Sequence, residues 1–379
     1  MFVADNLMGT GELITVGTCL LLGLAAGFIM HRSDFCLAGM VRDLFLFRST
    51  FMLRVLALLV LTNMVLVEAA RQAGMLMIFP YPAFGPASLS NVAGGMLFGV
   101  GMVLAGGCVA GTLYKMGSGN IISIVAFAGL IAGSVAYAEF HSVWKRLADA
   151  SVIMPGKVTL AQVLGLPQGL VIAVFAALLA VLVGCWTVKG KLVRHSRAEG
   201  YLQPWKAALL LAVLVAVSVL VIGIPLGITT SYAKMGAWIE SLIAPRHAQG
   251  LAYFKVVAIN YQDPLLGLTY RGGPGPAADA ISLIQFPLVL GIIAGGFLSA
   301  RLVGEFKVYS RVPRAQYLSG FIGGVLMGLA ARMTPSCNVW HLLGGMPILA
   351  VQSLLFALGL LPGAWLGGRL LSGVVLKDR

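Results

Sequence analysis

Residues 23–36 read Gly-Leu-Ala-Ala-Gly-Phe-Ile-Met-His-Arg-Ser-Asp-Phe-Cys, which places two glycines and a cysteine at offsets of zero, four and thirteen. The same offsets return three times, the last time with glycine instead of cysteine: Gly95, Gly99 and Cys108; Gly324, Gly328 and Cys337; Gly223, Gly227 and Gly236. Each copy lies in an apolar stretch, where paired glycines let membrane helices approach closely. The pattern predicts repeated helical units, each ending at a break that presents a thiol to a shared interior.

The composition indicates a membrane protein. Apolar residues make up 59% of the 379 residues and charged residues only 10%, and the mean hydropathy is +0.95. This leaves too little polar surface to coat a water-soluble globule. A bilayer core about 30 Å thick needs about 20 apolar residues per span, and the chain supplies many such runs. We therefore expect an all-α integral membrane protein.

The basic residues report topology. The formal net charge is +13, but these residues gather in short segments between apolar runs, which argues against a nucleic-acid partner. The positive-inside rule makes those segments cytoplasmic. They are Arg32, Arg42, Arg48 and Arg54; Lys189, Lys191, Arg194, Arg197 and Lys206; Arg301, Lys307, Arg311 and Arg314; and Arg369, Lys377 and Arg379.

This placement predicts nine transmembrane helices, with the N-terminus outside and the C-terminus in the cytoplasm. The spans are expected near residues 13–31, 51–70, 91–107, 121–139, 166–188, 207–224, 281–300, 317–334 and 348–368. Short re-entrant or interfacial helices are expected at 33–48, 72–86, 140–158, 230–247 and 337–347. The Pro- and Gly-rich segment 261–278 is expected to be an external loop.

The topology gives the repeat copies a direction. The first two copies run from outside to inside, whereas the last two run from inside to outside. We therefore expect two halves of inverted topology, each with two repeat copies: residues 1–200 with five spans and residues 201–379 with four, joined near 189–206. Transporters built in this way bind their substrate near the midplane, where broken helices meet.

Three of the five cysteines are the candidate residues of a substrate path: Cys36, Cys108 and Cys337. A neutral thiol is a weak donor, which suits a soft anionic sulfur or selenium atom better than a hard oxyanion. Helix N-termini and basic side chains would supply positive charge for such an anion. The candidate anion contacts are Lys115, Arg332, Asn338, Asn120, Tyr114, Ser336 and His341.

Two other functions use the same thiols. A membrane thiol oxidoreductase would need two cysteines close enough to oxidise, and the sequence has no CxxC motif. A copper(I) permease would need soft ligands, but Cys337 and His341 form the only Cys–His pair at ligand spacing. We therefore expect a transporter rather than an enzyme, with no metal centre and no cofactor.

Three segments resemble the YeeE/YedE family of sulfur-transport membrane proteins. They are His31-Arg-Ser-Asp-Phe-Cys36, Leu104-Ala-Gly-Gly-Cys108-Val-Ala-Gly-Thr-Leu-Tyr114-Lys115 and Pro335-Ser-Cys337-Asn338-Val-Trp-His341-Leu-Leu-Gly344-Gly345-Met-Pro347. The resemblance extends over nearly the whole chain and is most specific in the second and third segments.

The resemblance implies a multi-pass protein of the bacterial inner membrane that imports thiosulfate. It also implies a relay in which Cys36, Cys108 and Cys337 in turn hydrogen-bond the terminal sulfur. Related members are associated with selenium metabolism, and the motifs do not separate the two substrates. Because family members often work beside a sulfur carrier, a separate soluble cytoplasmic sulfur-carrier protein is a candidate partner.

Overall fold

The protein is almost entirely helical in a computed structural model that describes residues 9–76, 78–194, 200–309 and 311–375. The α-helices are α1 Thr10–Ser33, α2 Leu37–Leu46, α3 Phe51–Gln72, α4 Leu89–Leu104, α5 Val109–Gly117, α6 Ile121–Ala150, α7 Leu160–Leu164, α8 Gln168–Val188, α9 Pro204–Ile222, α10 Thr230–Ile243, α11 Pro245–Gly250, α12 Ala280–Leu302, α13 Arg314–Met333 and α14 Val351–Leu370. Short helical turns cover Ala252–Lys255, Trp340–Gly345 and Leu371–Val375. Arg197, Lys377 and Arg379 of the basic segments, and both chain ends, lie outside the described residues.

The predicted class, an all-α integral membrane protein, is confirmed. Within the described ranges, eight helical stretches are long and apolar enough to cross a membrane, with α1 and α2 counted together and α4 and α5 counted together. The remaining predicted span, 317–334, coincides with α13, which has 20 residues. At 1.5 Å per residue α13 is about 30 Å long, which matches the hydrocarbon thickness.

Two of the predicted short helices are not separate elements. Residues 73–76 and 78–88 contain no helix, because Gly74, Pro80, Pro82 and other breakers interrupt the segment. Residues 140–150 instead continue α6, whose last turns contain good helix formers and the pair Lys145–Asp149, 2.6 Å apart. The predicted helices near 33–48, 230–247 and 337–347 correspond to α2, α10 with α11, and Trp340–Gly345.

Three pairs of long helices cross through reciprocal glycines. In α1 an alanine Cβ at Gly27 would lie 2.1 Å from the Ile292 carbonyl oxygen, and in α12 one at Gly295 would lie 2.1 Å from that of Leu24. Contacts of the same kind join α4 to α14 through Gly95, Gly99, Gly359 and Gly363, and α6 to α13 through Gly129, Gly133, Gly324 and Gly328. The two backbones touch at each crossing, which is the close approach that small residues allow in lipid.

Four units share the order long helix, short helix, long helix. They are α1 with α2 and α3; α4 with α5 and α6; α9 with α10 and α12; and α13 with the short helix Trp340–Gly345 and α14. The first and third units pack through α1 with α12 and α3 with α9, and the second and fourth through α4 with α14 and α6 with α13. Helix α8 belongs to no unit, and only 17% of the residues in its most apolar 18-residue stretch are buried.

Gly236, at the last position of the copy that begins at Gly223, does not lie where the other units have cysteine. Gly236 lies inside α10 against Val135, whereas the residue just before α10 is Thr229. The corresponding residues in the other units are Cys36, Cys108 and Cys337. Thr229 is therefore the structural counterpart of the three cysteines, and the offset pattern is broken in this unit because Gly223 already ends α9 with a left-handed φ of 85°.

A small hairpin lies in the predicted external loop. Strands β1 Ile259–Gln262 and β2 Thr269–Gly272 pair antiparallel, with Tyr261 opposite Tyr270. The loop that follows is held by the Lys234 ammonium, which is fully buried and lies 2.9 Å from the Asp279 carboxylate. Asp279 also caps the start of α12 through the amides of Ile281 and Ser282.

Candidate functional site

The thiols of Cys36 and Cys108 converge on Gly111. Cys36 precedes α2 and is 5% exposed, and Cys108 precedes α5 and is fully buried. An alanine Cβ at Gly111 would lie 2.8 Å from Cys36 Sγ and 3.3 Å from Cys108 Sγ. The Gly111 amide donates to Cys108 Sγ at 3.3 Å, so the backbone of α5 also contacts this thiol. Glycine at this position is what lets two sulfur atoms meet at one helix N-terminus.

Cys337 lies on the other side of the same buried cluster. It is fully buried and begins the short helix of the fourth unit, directly after the α13 chain turns at Pro335. Cys337 and Cys108 lie within electrostatic range of each other, and Cys36 belongs to the same cluster. Cys108 therefore has both other candidate thiols as neighbours, Cys36 at Gly111 and Cys337 within electrostatic range, whereas Cys19 packs in α1 and Cys185 is exposed in α8.

Two cavities of about 310 Å³ lie at opposite ends of the helices. The Lys115 vestibule includes the C-terminal ends of α1, α5 and α12, and it is lined by His31, Arg32, Asp34, Tyr114, Lys115, Ser118, Gly200, Tyr201, Val303 and Glu305. The Arg332 vestibule includes the N-terminal part of α12 and the C-terminal end of α13. Its polar and ring-nitrogen side chains are Tyr137, His141, Thr230, Tyr253, Gln285, Arg332, Ser336 and Trp340. Within the described residues no cysteine lines either vestibule, but Asp34, two residues before Cys36, lines the first, and Ser336, directly before Cys337, lines the second.

Arg332 is a buried cation without a carboxylate partner. Its side chain is 7% exposed and takes part in no ion pair of the described residues. Its guanidinium donates to the hydroxyls of Thr230 at 3.4 Å and Tyr253 at 3.3 Å, and to that of Thr229. Its Nε atom is buried with no partner. A charge held only by neutral hydroxyls leaves a net positive site for an anion.

Lys115, Tyr114 and Ser336 also line the vestibules. The Lys115 ammonium donates to the Gly106 carbonyl at 2.9 Å, where α4 ends, and the Tyr114 hydroxyl donates to Asp34 at 3.4 Å. Ser336 lies in the Arg332 vestibule one residue before Cys337. The structure therefore places two predicted anion contacts beside Cys36 and one beside Cys337.

The remaining predicted contacts divide into three roles. Asn338 is fully buried next to Cys337, and both polar atoms of its amide lack a partner. His341 is also fully buried, but its ring nitrogens bond the Ser353 hydroxyl at 2.9 Å and the Thr334 carbonyl at 2.8 Å. Asn120 is exposed and caps α6 by accepting from the Ser123 amide at 3.1 Å. Of these three residues, Asn338 alone keeps free hydrogen-bonding capacity in a buried position.

Sequence reasoning missed Thr229 and Tyr232. Thr229 holds Arg332, and Tyr232 is fully buried within electrostatic range of both Cys108 and Cys337. Both residues come from the unit that has no cysteine at the start of its short helix. The available signal was the apolar span ending at Gly223 followed by a polar Thr-Thr-Ser-Tyr run.

One group of side chains in the described part of the chain has the composition of a metal site. Ligand atoms of Glu139, Glu240 and His247 lie within 4.8 Å of one another. His247 Nε2 is 2.7 Å from a Glu139 oxygen and 3.3 Å from a Glu240 oxygen. The hydrogen bond to Glu139 raises the pKa of His247, and the contacts of His247 with both carboxylates join α6, α10 and α11.

Broken helices around a buried polar centre, with a vestibule at each end, define a helical membrane transport protein. The sulphur transport family matches residues 32–366, and the chain belongs to that family. It is 29% identical over 363 residues to the thiosulfate transporter TsuA of Spirochaeta thermophila, covering 92% of this chain and 97% of that protein. It is 27% identical over 361 residues to the thiosulfate transporter TsuA of Escherichia coli, covering 91% and 92%.

A further relative is matched over a shorter region. The chain is 27% identical over 170 residues to the probable transporter YedE of Escherichia coli, which covers 44% of this chain and 40% of that protein. All three relatives carry the name of transporters, and this chain is likewise a multi-pass membrane transporter and not an enzyme.

Proposed function

We propose that this protein imports thiosulfate, or a similar soft sulfur-containing anion, along a path lined by Cys337, Cys108 and Cys36. The observation that carries the proposal is that Cys36 and Cys108 meet at Gly111 while Cys337 lies within electrostatic range of Cys108. Asp34 and Ser336, beside these thiols, line the two vestibules. The names of the two full-length relatives support thiosulfate as the substrate.

The chemistry of the thiols suits passage rather than tight binding. Each cysteine stands at the N-terminus of a short helix, where backbone amides and the helix dipole favour an anion. A thiol donates weakly, at or below the low end of the roughly 0.5–1.5 kcal/mol of an ordinary net hydrogen bond. Several weak sites in series let an anion enter and leave without being trapped.

We assign the Arg332 vestibule to the external side and the Lys115 vestibule to the cytoplasmic side of the bacterial inner membrane. The Lys115 vestibule shares its end of the helices with the basic segments at Arg32 and Arg301, which the positive-inside rule places in the cytoplasm. The N-terminus is then external and the C-terminus cytoplasmic. The unpaired charge of Arg332 attracts the anion at the entrance, and a separate soluble sulfur-carrier protein receives it at the exit.

The two halves, 1–200 and 201–379, are proposed to have inverted topology. The glycine contacts at Gly23 and Gly27 meet Leu288 and Ile292 in step, so α1 and α12 run parallel. The other two crossings also run parallel. Each crossing thus joins the first helix of one unit to the last helix of a unit in the other half, which an inverted pair of repeats produces.

Uptake of labelled thiosulfate into proteoliposomes tests this proposal. We expect Cys108→Ala to abolish uptake, because the middle thiol of the series is lost, while Cys185→Ala, which alters an exposed cysteine of α8, transports normally. Normal uptake by Cys108→Ala would show that the thiols do not conduct the anion. Competition by sulfate and by selenium analogues then identifies the preferred substrate.

A further inference from the structure

The short helix without a cysteine carries a buried tyrosine instead. Tyr232 is fully buried, and its hydroxyl has no hydrogen-bond partner in the described part of the chain. Leaving a buried hydroxyl unpaired is energetically unfavourable. A hydroxyl that forms its hydrogen bond only when a ligand passes would account for this cost.

The register of the short helices directs Tyr232 toward the thiols. It is the third residue of α10, and Gly111 is the third residue of α5. A side chain at Gly111 would run into Cys36 Sγ and Cys108 Sγ, so this helix position faces the sulfur cluster. The unit that lacks a cysteine at its helix start thus offers a phenol from the equivalent position.

The neighbours of Tyr232 fix where its hydroxyl lies. The Tyr232 ring packs edge-on against Phe127, with 5.3 Å between ring centres. Its hydroxyl lies within electrostatic range of Cys337 and Cys108, which belong to the same buried cluster. The amide of Asn338, beside Cys337, is also buried without a partner. Two polar groups without partners, the Tyr232 hydroxyl and the Asn338 amide, therefore lie near Cys337.

We propose that Tyr232 donates a hydrogen bond to the anion as it passes from Cys337 to Cys108, which makes this point a transient binding site for a sulfur oxyanion. The inference rests on the proposed function and adds that different side chains bind the sulfur and the oxygen atoms of the anion. The thiols meet the soft terminal sulfur, whereas the phenol meets an oxygen, for which an O–H is the better donor. An anion that carries both atom types is matched at this point.

The test is Tyr232→Phe, which removes one oxygen atom and keeps the ring. We expect the maximal rate of thiosulfate uptake to fall about tenfold, the loss of one hydrogen bond to a charged group. The KM should stay nearly unchanged, because the anion first binds at Arg332. Thermal stability in detergent should be equal or higher, since the lost hydroxyl had no partner. A purely structural role would instead lower stability.

The matched control is Tyr81→Phe, which removes another buried and unpaired hydroxyl from the loop before α4, where Tyr81 packs on Phe79 and Phe84. This variant should transport normally. Wild-type rates in Tyr232→Phe, together with loss of uptake in Cys108→Ala, would overturn the inference and leave the thiol path standing. A lowered rate accompanied by a large loss of stability in Tyr232→Phe would also overturn it.

Discussion

Gly111 decides whether two thiols can share one helix N-terminus. Its missing side chain leaves the space in which Cys36 Sγ and Cys108 Sγ lie, 2.8 and 3.3 Å from where an alanine Cβ would be. Both sulfur atoms are held by short, tightly packed segments, so neither can move away freely. The site therefore requires the absence of a side chain at Gly111 as well as the two thiols.

For Gly111→Ala we expect uptake to fall about ten- to hundredfold, because displacing a substrate-binding group by around 1 Å has effects of that size. The protein should still insert into the membrane, since alanine favours the helix. Labelled thiosulfate uptake measures the effect. Gly184→Ala is the control, because a Cβ there meets nothing within 4 Å. If the two variants transport equally well, the thiols need not converge for transport.

At the level of residues, the sequence singled out three cysteines as candidates and missed the residues around them. Their common spacing from paired glycines marked Cys36, Cys108 and Cys337 as one set. The partners of Arg332 come from Thr229, Thr230 and Tyr253, about 80 to 100 residues away along the chain, so no local pattern could reveal them. His341 was predicted to be an anion contact because the sequence does not show that Ser353 and Thr334 form hydrogen bonds with both of its ring nitrogens.

The long helices are held together where backbones touch. Gly27 of α1 faces the Ile292 carbonyl oxygen so closely that any Cβ would collide with it. Lipid tails are as apolar as leucine, so the crossing gains little from hydrophobic burial and depends on close packing and van der Waals contact. The paired glycines are therefore structural residues of the crossing, distinct from the groups that bind the anion.

Gly27→Ala should separate α1 from α12 and lower the free energy of unfolding by about 1–3 kcal/mol or more, as overpacking does. Gly17→Ala lies in the same helix, but its Cβ meets nothing within 4 Å, so that variant should be neutral or slightly stabilising. Thermal unfolding in detergent compares the two. Equal melting temperatures would mean that α1 and α12 adapt to the added methyl group.

The elements with strong apolar runs were predicted well and those set by tertiary packing were not. Each predicted span coincides with a helix, with ends displaced by a few residues. Helix α6 extends to Ala150 because polar helix formers continue it beyond the apolar run. The short helix predicted at 230–247 begins where α10 begins, but the sequence did not show that Thr229, just before it, stands where the other units have cysteine, because that equivalence is visible only in the packed structure.

The molecule has two chemically different ends. The β-hairpin and Arg332 vestibule form one end, and the basic segments with the Lys115 vestibule form the other. Leu265 in the hairpin loop is 64% exposed, and Val308 after α12 is 59% exposed. These two side chains therefore report which end faces the outside of the cell.

In a Cys185→Ala background, a membrane-impermeant maleimide should label Leu265→Cys in intact spheroplasts, because the hairpin loop is external in the proposed orientation. Val308→Cys should react only after the membrane is permeabilised. A gel shift of the labelled protein measures the reaction of each variant. The Cys185→Ala protein without an added cysteine measures any reaction of the buried native thiols. The reverse pattern of labelling would invert the proposed orientation and with it the direction of import.

The pairing of α1 with α12 has a consequence for synthesis. Helix α1 is complete at Ser33, yet its partner does not begin until Ala280. At about 5–20 residues per second, the ribosome needs on the order of 10–50 s to reach that point. Throughout this interval the glycine face of α1 lies in the translocon or in lipid without α12, the helix on which it packs. A nascent chain that stalls before α12 therefore carries an orphan helix, which membrane proteases can recognise and remove.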